Sequence, residues 1–287
     1  MLLPVLLLSL PLLLAGAAAA QSPPIIDLHF HVMNGPGWDI DAFVEQMDTL
    51  GVSQAGNAPR GAADALALEW ARKYPDRFIP FAGKEAIREF IRSDGERAWT
   101  LQAPAVVAYL QQLEAALKAG AFKGIGEIDI HPSGAYQTGP RFPADSPLMR
   151  HLWGLSAEYQ VPLSIHLDAR DETVAELERL VGSDRRGILL WGHAGGAAPA
   201  QVRRLMEAYP NLHADLSGRL LAVTRVPEWR ILLEEFPDRF VLGTDAFALS
   251  GFVHAIGSWR KVLDQLPPAT ARKLGHENAE RLLNHRP

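Results

Sequence analysis

Eight short apolar runs recur along the chain, at Ile25 to His31, Val52 to Ala58, Phe78 to Gly83, Phe122 to Ile128, Val161 to His166, Ile188 to His193, Leu212 to Ser217 and Phe240 to Asp245. Runs of this length predict buried β-strands. Between them, apolar positions fall three and four residues apart, as in Val106-Val107, Leu110, Leu113 and Leu117, with Gly120 as a stop. Val174, Leu177, Leu180 and Val181 repeat the pattern, and so do Val202, Leu205, Met206 and Tyr209. These segments predict amphipathic helices. Strand and helix alternate over about 250 residues, the size and rhythm of an α/β chain closed into a (β/α)8 TIM barrel. An open doubly wound sheet is the alternative, but the Gly-rich phosphate turn it would carry after the first strand is missing. No internal linker divides residues 21–287, which are expected to form one domain. The stretch Lys84 to Thr100 is charged and lacks a clear period, and a final helix is expected from Ala269 to Leu283.

The chain is 48% hydrophobic and 21% charged over 287 residues, ordinary globular composition with ample length for a large core. A formal charge of -5 without a basic cluster argues against nucleic acid or an anionic membrane surface as a partner. A small-molecule substrate fits better. Association with a second copy through helix faces stays open.

Residues 1–20 carry no charged side chain and pass from a Leu-rich core to Gly16 and Ala17 to Ala20. An A-x-A pattern at Ala18 and Ala20 predicts a secretory signal cleaved after Ala20. No Lys or Arg precedes the apolar core, so an uncleaved anchor is the alternative. Either way the folded part is expected outside the cytoplasm, periplasmic or secreted. The absence of cysteine then means no disulfides, which a domain of this size does not require.

The candidate chemistry gathers at the ends of the strand-like runs. In a strand, alternate residues share a face, so His29 and His31 project to one side about 7 Å apart. Glu127 lies near the end of run four, His166 ends run five, His193 run six and Asp245 run eight. In a barrel those ends converge on one mouth, where active sites of this architecture are assembled. Singly, His166 or His193 reads as a core histidine, and Glu127 or Asp245 as a cap or ion-pair partner. Together they would bury several polar groups in one place at a cost of several kcal/mol, which a divalent cation offsets for all of them at once.

The motifs Asp27-Leu28-His29-Phe30-His31, Leu163-Ser164-Ile165-His166, Leu190-Trp191-Gly192-His193 and Leu242-Gly243-Thr244-Asp245 resemble the metal-dependent amidohydrolase superfamily. The tail Leu274-Gly275-His276-Glu277-Asn278-Ala279-Glu280-Arg281-Leu282-Leu283 is similar to the last helix of its amidohydrolase family 2 branch. The resemblance implies that His29, His31 and Asp245 hold one metal, with His166 and His193 at or beside a second position. Glu127 resembles the strand-4 glutamate that bridges two metals in the TatD-type deoxyribonuclease branch. If Glu127 points away from the mouth, one metal is expected, with His166 as its fourth ligand. The cofactor is thus one or two divalent ions per chain, zinc first by ligand chemistry, with manganese, iron and nickel as alternatives.

With this donor set a metal-activated water attacks the substrate, and Asp245 is the expected general base. Asp27, deeper on the same face as His29, is expected to be a buried polar partner. In the loops, Trp38 and Phe247 are candidates to wall an apolar pocket, and His131, Arg141 or Arg219 to meet an anionic group. The expected activity is metal-dependent hydrolysis of an amide, a lactone or other ester, or a phosphoester. A one-metal decarboxylase and a non-catalytic metal-binding protein of the cell envelope are the alternatives.

Overall fold

The computed structural model describes residues 23–33, 38–57, 59–131 and 143–284. The signal segment and Arg141 therefore lie outside the described residues. Eight parallel strands pair in chain order: β1 Ile25–Asp27, β2 Val52–Asn57, β3 Phe78–Ala82, β4 Gly124–His131, β5 Pro162–Leu167, β6 Ile188–Trp191, β7 Leu212–Asp215 and β8 Phe240–Val241. The seam between β1 and β8 is joined just past both strands, where Leu28 N donates to Leu242 O (3.0 Å) and Asp245 N to His29 O (2.7 Å). Helices lie between the strands, giving a (β/α)8 TIM barrel.

The two-residue period of a strand sorts side chains into two layers. Ile79 and Phe81 of β3, Ile188 and Leu190 of β6, and Val241 of β8 pack with Ile26 and Leu28 inside the barrel. Their neighbours Phe78, Ala82, Leu189 and Trp191 join the outer core beneath the helices. Ala279 and Leu282 of the last helix, Asn278–Leu283, pack into the inner cluster. Asn278 Nδ2 donates to the carbonyl of Phe240, the first residue of β8, so this helix floors the N-terminal end of the barrel.

The periodic segments form the helices Pro104–Lys118, Asp171–Ser183 and Pro199–Ala208. Val107, at 37% exposure, and Tyr209, which lies just past its helix and is half-buried, are the exceptions on their buried faces. Lys84 to Thr100 is also helical, as Lys84–Asp94 and Glu96–Trp99, broken at Gly95. The expected final helix is Pro268–Arg272 continued through a π turn, Lys273–Glu277, into Asn278–Leu283.

Four strand ends near the mouth differ from expectation. β4 runs to His131, so Glu127 is its fourth residue and His131 is in the strand, not the loop after it. Glu127 and Asp129 interrupt the apolar pattern within the strand, and the apolar run therefore stops short of the true end. Conversely, β1, β6 and β8 end early, and His29, His31, His193 and Asp245 lie in the segments that follow them.

Candidate metal centre

The six predicted ligands come together in the mouth of the barrel, with Glu127 in the middle. Its Oε2 lies 3.4 Å from His29 Nε2 and 3.5 Å from His31 Nε2. Its Oε1 lies 3.2 Å from His166 Nδ1 and 3.6 Å from His193 Nε2. Asp245 Oδ1 is 3.1 Å from His31 Nε2 and 3.6 Å from His29 Nε2. The two carboxylate oxygens of Glu127 thus face separate pairs of imidazoles.

Tight local backbone makes this convergence possible. Gly126 has φ +103°, and a Cβ there would meet the Ser164 carbonyl oxygen at 2.1 Å, so glycine lets β4 lie against β5 beside Glu127. His193 (φ 56°) and Ala194 (φ 47°) open a left-handed turn that Gly195 completes, where a side chain would collide with the Trp191 ring. Asp245 has φ 54°, a conformation costly for a residue with a Cβ and held by its N–H bond to His29 O. Asp27 braces the same loop: its Oδ1 accepts from His29 N (3.1 Å) and Thr244 N (3.0 Å), and its Oδ2 from the Thr244 hydroxyl (2.5 Å). Burial pushes the Asp27 carboxyl up to about 7 against those hydrogen bonds.

Three residues behind the candidate ligands carry no mark in the sequence reading. His29 Nδ1 donates to Asp215 Oδ2 (3.0 Å), which leaves Nε2 as the lone-pair nitrogen facing Glu127 and Asp245. His193 Nδ1 donates to the Ser217 carbonyl (3.0 Å), with the same effect on its Nε2. The Ser217 hydroxyl donates to Asp215 Oδ1, tying both supports together. Lys84, buried at the start of its helix, donates to Glu127 Oε2 (2.7 Å) and reaches Asp129 Oδ1 (3.3 Å). Asp215 is the last residue of β7, and Lys84 follows directly on the apolar run Phe78 to Gly83. Position at a strand end was the available signal for both.

The local field favours positive charge. Burial alone would lower the proton affinity of His29, but Glu127 and Asp215 outweigh it and hold His29 well above the usual imidazole range. Burial would raise Glu127, yet Lys84 and His29, with His166 and His193 beside it, hold it well below the usual carboxylate range. Asp245 is held low against its burial by His31, His29 and His193.

This donor set fits a divalent cation. His29 Nε2 and Glu127 Oε1 are both buried without a hydrogen-bond partner, and each faces the other ligands. The groups His29–His31–Glu127, Glu127–His166–His193 and His29–His193–Asp245 each bring one donor atom per residue within 4.8 Å of the others. The nitrogen–oxygen separations around Glu127 and Asp245, from 3.1 to 3.6 Å, match the edge of a tetrahedron about 2 Å in radius, the reach of imidazole and carboxylate ligands to zinc.

Among the loop candidates, Phe247 is 40% exposed and stacks on the His31 ring at 5.1 Å and 8°. The Arg60 guanidinium lies 4.3 Å over the Phe247 ring, a cation beside His31's stacking partner that sequence reasoning passed over. Trp38 packs on Phe30, Phe43 and Trp70 in the outer aromatic cluster. Arg219 lies over the Trp229 ring and donates to the Ala197 carbonyl (2.7 Å), bracing the segment after β7.

Residues 26–284 match the model of the family described as amidohydrolase. No curated protein matches the chain by sequence. A dihydroxybenzoic acid decarboxylase from a Polaromonas species, with bound manganese and the inhibitor 2-nitroresorcinol, superposes with a TM-score of 0.64 at 17% identity, over 91% of this chain and 97% of that one. A 4-oxalomesaconate hydratase from Rhodopseudomonas palustris gives 0.62 at 17% identity, over 90% and 95%. A probable 2-pyrone-4,6-dicarboxylic acid hydrolase from Acinetobacter baumannii, with citric acid bound, gives 0.58 at 12% identity, over 90% and 98%. At these identities the likeness shows the fold alone.

Proposed function

The chain belongs to the amidohydrolase family, and on that premise we propose that it is a metal-dependent hydrolase of a small amide, ester or lactone. One observation carries the reading: Glu127 turns into the mouth and sets one oxygen toward His29 and His31 and the other toward His166 and His193. His29, His31, Asp245 and Glu127 Oε2 would hold one ion, and Glu127 Oε1, His166 and His193 a second. A divalent ion bound there supplies Lewis acidity, making water nucleophilic near neutral pH and polarising the oxygen of the scissile group.

The chain's own groups do the rest. Asp245 is the most exposed of the six donors at 28%, and while its Oδ1 is engaged by His31, its Oδ2 lies 4.0 Å from His193 Nε2. That free oxygen takes the proton from the attacking water and returns it to the leaving group. Asp215 and the Ser217 carbonyl keep His29 and His193 in the tautomers that leave Nε2 free. Phe247 and Arg60 at the rim suit a substrate with an apolar or aromatic body and an anionic group. With residues 1–20 acting as an export signal, this chemistry runs in the periplasm or outside the cell.

A one-metal decarboxylase is the second reading, favoured by Lys84, which at 2.7 Å neutralises the carboxylate that a second ion needs. Metal content per chain, measured by elemental mass spectrometry on protein purified without added metal or chelator, separates the two. About two ions per chain and turnover of an ester and lactone panel are expected for the hydrolase. About one ion, with turnover of aromatic carboxylic acids only, overturns it in favour of the lyase.

A further inference from the structure

Lys84 is 3% exposed, and its ammonium reaches the central carboxylate of the mouth. The turn that delivers it is fixed independently of any ion. Gly83 N donates to both oxygens of Asp64 (3.0 and 3.2 Å), and the Tyr109 hydroxyl donates to the same carboxylate (2.5 Å). Asp129 Oδ1, at 3.3 Å, is the second acceptor for Lys84 Nζ. A lysine is driven this deep only when its charge is paired, and a buried Glu127 without a partner would be as costly. The same oxygen that accepts from Lys84 also faces His29 and His31. An ion held by those histidines must share Glu127 Oε2 with a fixed positive charge.

We propose that Lys84 is a built-in counter-ion for Glu127, a positioning residue that lets the barrel fold with its mouth metal-free and weakens the grip of the mouth on a divalent cation. The inference rests on the metal-site reading above. Its consequence is a protein that completes its fold first and takes up metal afterwards.

The test compares wild type with Lys84→Met, which keeps the length of the apolar stem and removes the charge, and Lys84→Arg, which keeps the charge. Zinc affinity is read by competition with a chromogenic chelator, and thermal unfolding is followed with and without zinc. Lys84→Met is expected to bind zinc roughly tenfold or more tightly than wild type. Without metal it should unfold about 6 °C or more below wild type, with a larger rise when zinc is added. Adding Glu127→Gln to Lys84→Met should restore most of the lost metal-free stability, because neither charge is then buried alone. Lys84→Arg should stay close to wild type in affinity. A Met variant that folds only with zinc present supports the proposal; one that fails to fold with zinc as well overturns it. So does unchanged or weaker zinc affinity in a folded Met variant, the outcome of a merely structural role. If wild type and Lys84→Met both bind no zinc, manganese, iron or nickel, the metal-site reading itself falls, and this inference with it.

Discussion

At the N-terminal end of the barrel, Ile26, Ile79, Ile188 and Val241 meet Ala279 and Leu282 of the last helix. At the C-terminal end of the same barrel, His29, His31, Glu127, His166, His193 and Asp245 gather in the mouth. The floor needs only volume and apolar surface, and its side chains come from regular strand and a regular helix. The mouth needs orientation, and it takes its donors mostly from segments beyond the strands, two of them in left-handed backbone at His193 and Asp245. Stability and chemistry are thereby separated along the barrel axis.

Substitutions at the two ends should fail in different ways. Asp245→Asn should cut kcat about a thousandfold through loss of the proton acceptor, with an unchanged circular dichroism spectrum; activity near wild type would remove Asp245 from the mechanism. Leu282→Ala, in the floor, should cost about 3 kcal/mol of stability by denaturant unfolding while kcat per folded molecule stays put. A fall in kcat there would mean that the two ends are coupled. Asp215→Asn should weaken metal binding about 10- to 100-fold by releasing the His29 tautomer, measured by chelator competition; unchanged affinity would reduce Asp215 to a packing group. The smallest effect is expected from Phe247→Ala, a rise in KM of about three- to tenfold for an aromatic substrate with kcat nearly intact, since the ring walls the rim beside His31.

The same contrast explains what could be read in advance. The eight strands and the sequential barrel were legible because apolar runs and three-four spacings are properties of neighbours in sequence. That six candidate donors would gather in one mouth was legible because each lies at or near the end of such a run. Lys84 was hidden in a charged stretch where the apolar stripe Ile87, Phe90 and Ile91 is interrupted at Gly95. Nothing in that stretch says which of its charges turns inward. Asp215 sits at a strand end like the ligands, yet its role as a support for His29 depends on a contact across 186 residues. Trp38 and Arg219 show the reverse: both are of types suited to a pocket, and both have partners in the outer layers of the barrel.

On the proposed reading, Glu127 stands between two cation positions, one on the side of His29 and His31 and one on the side of His166 and His193. Anomalous diffraction from crystals grown with zinc tests it most directly. Two anomalous peaks, one on each side of the Glu127 carboxylate, are the predicted result. A single peak with Glu127 bonded only to Lys84, or no peak in the mouth at all, would contradict it.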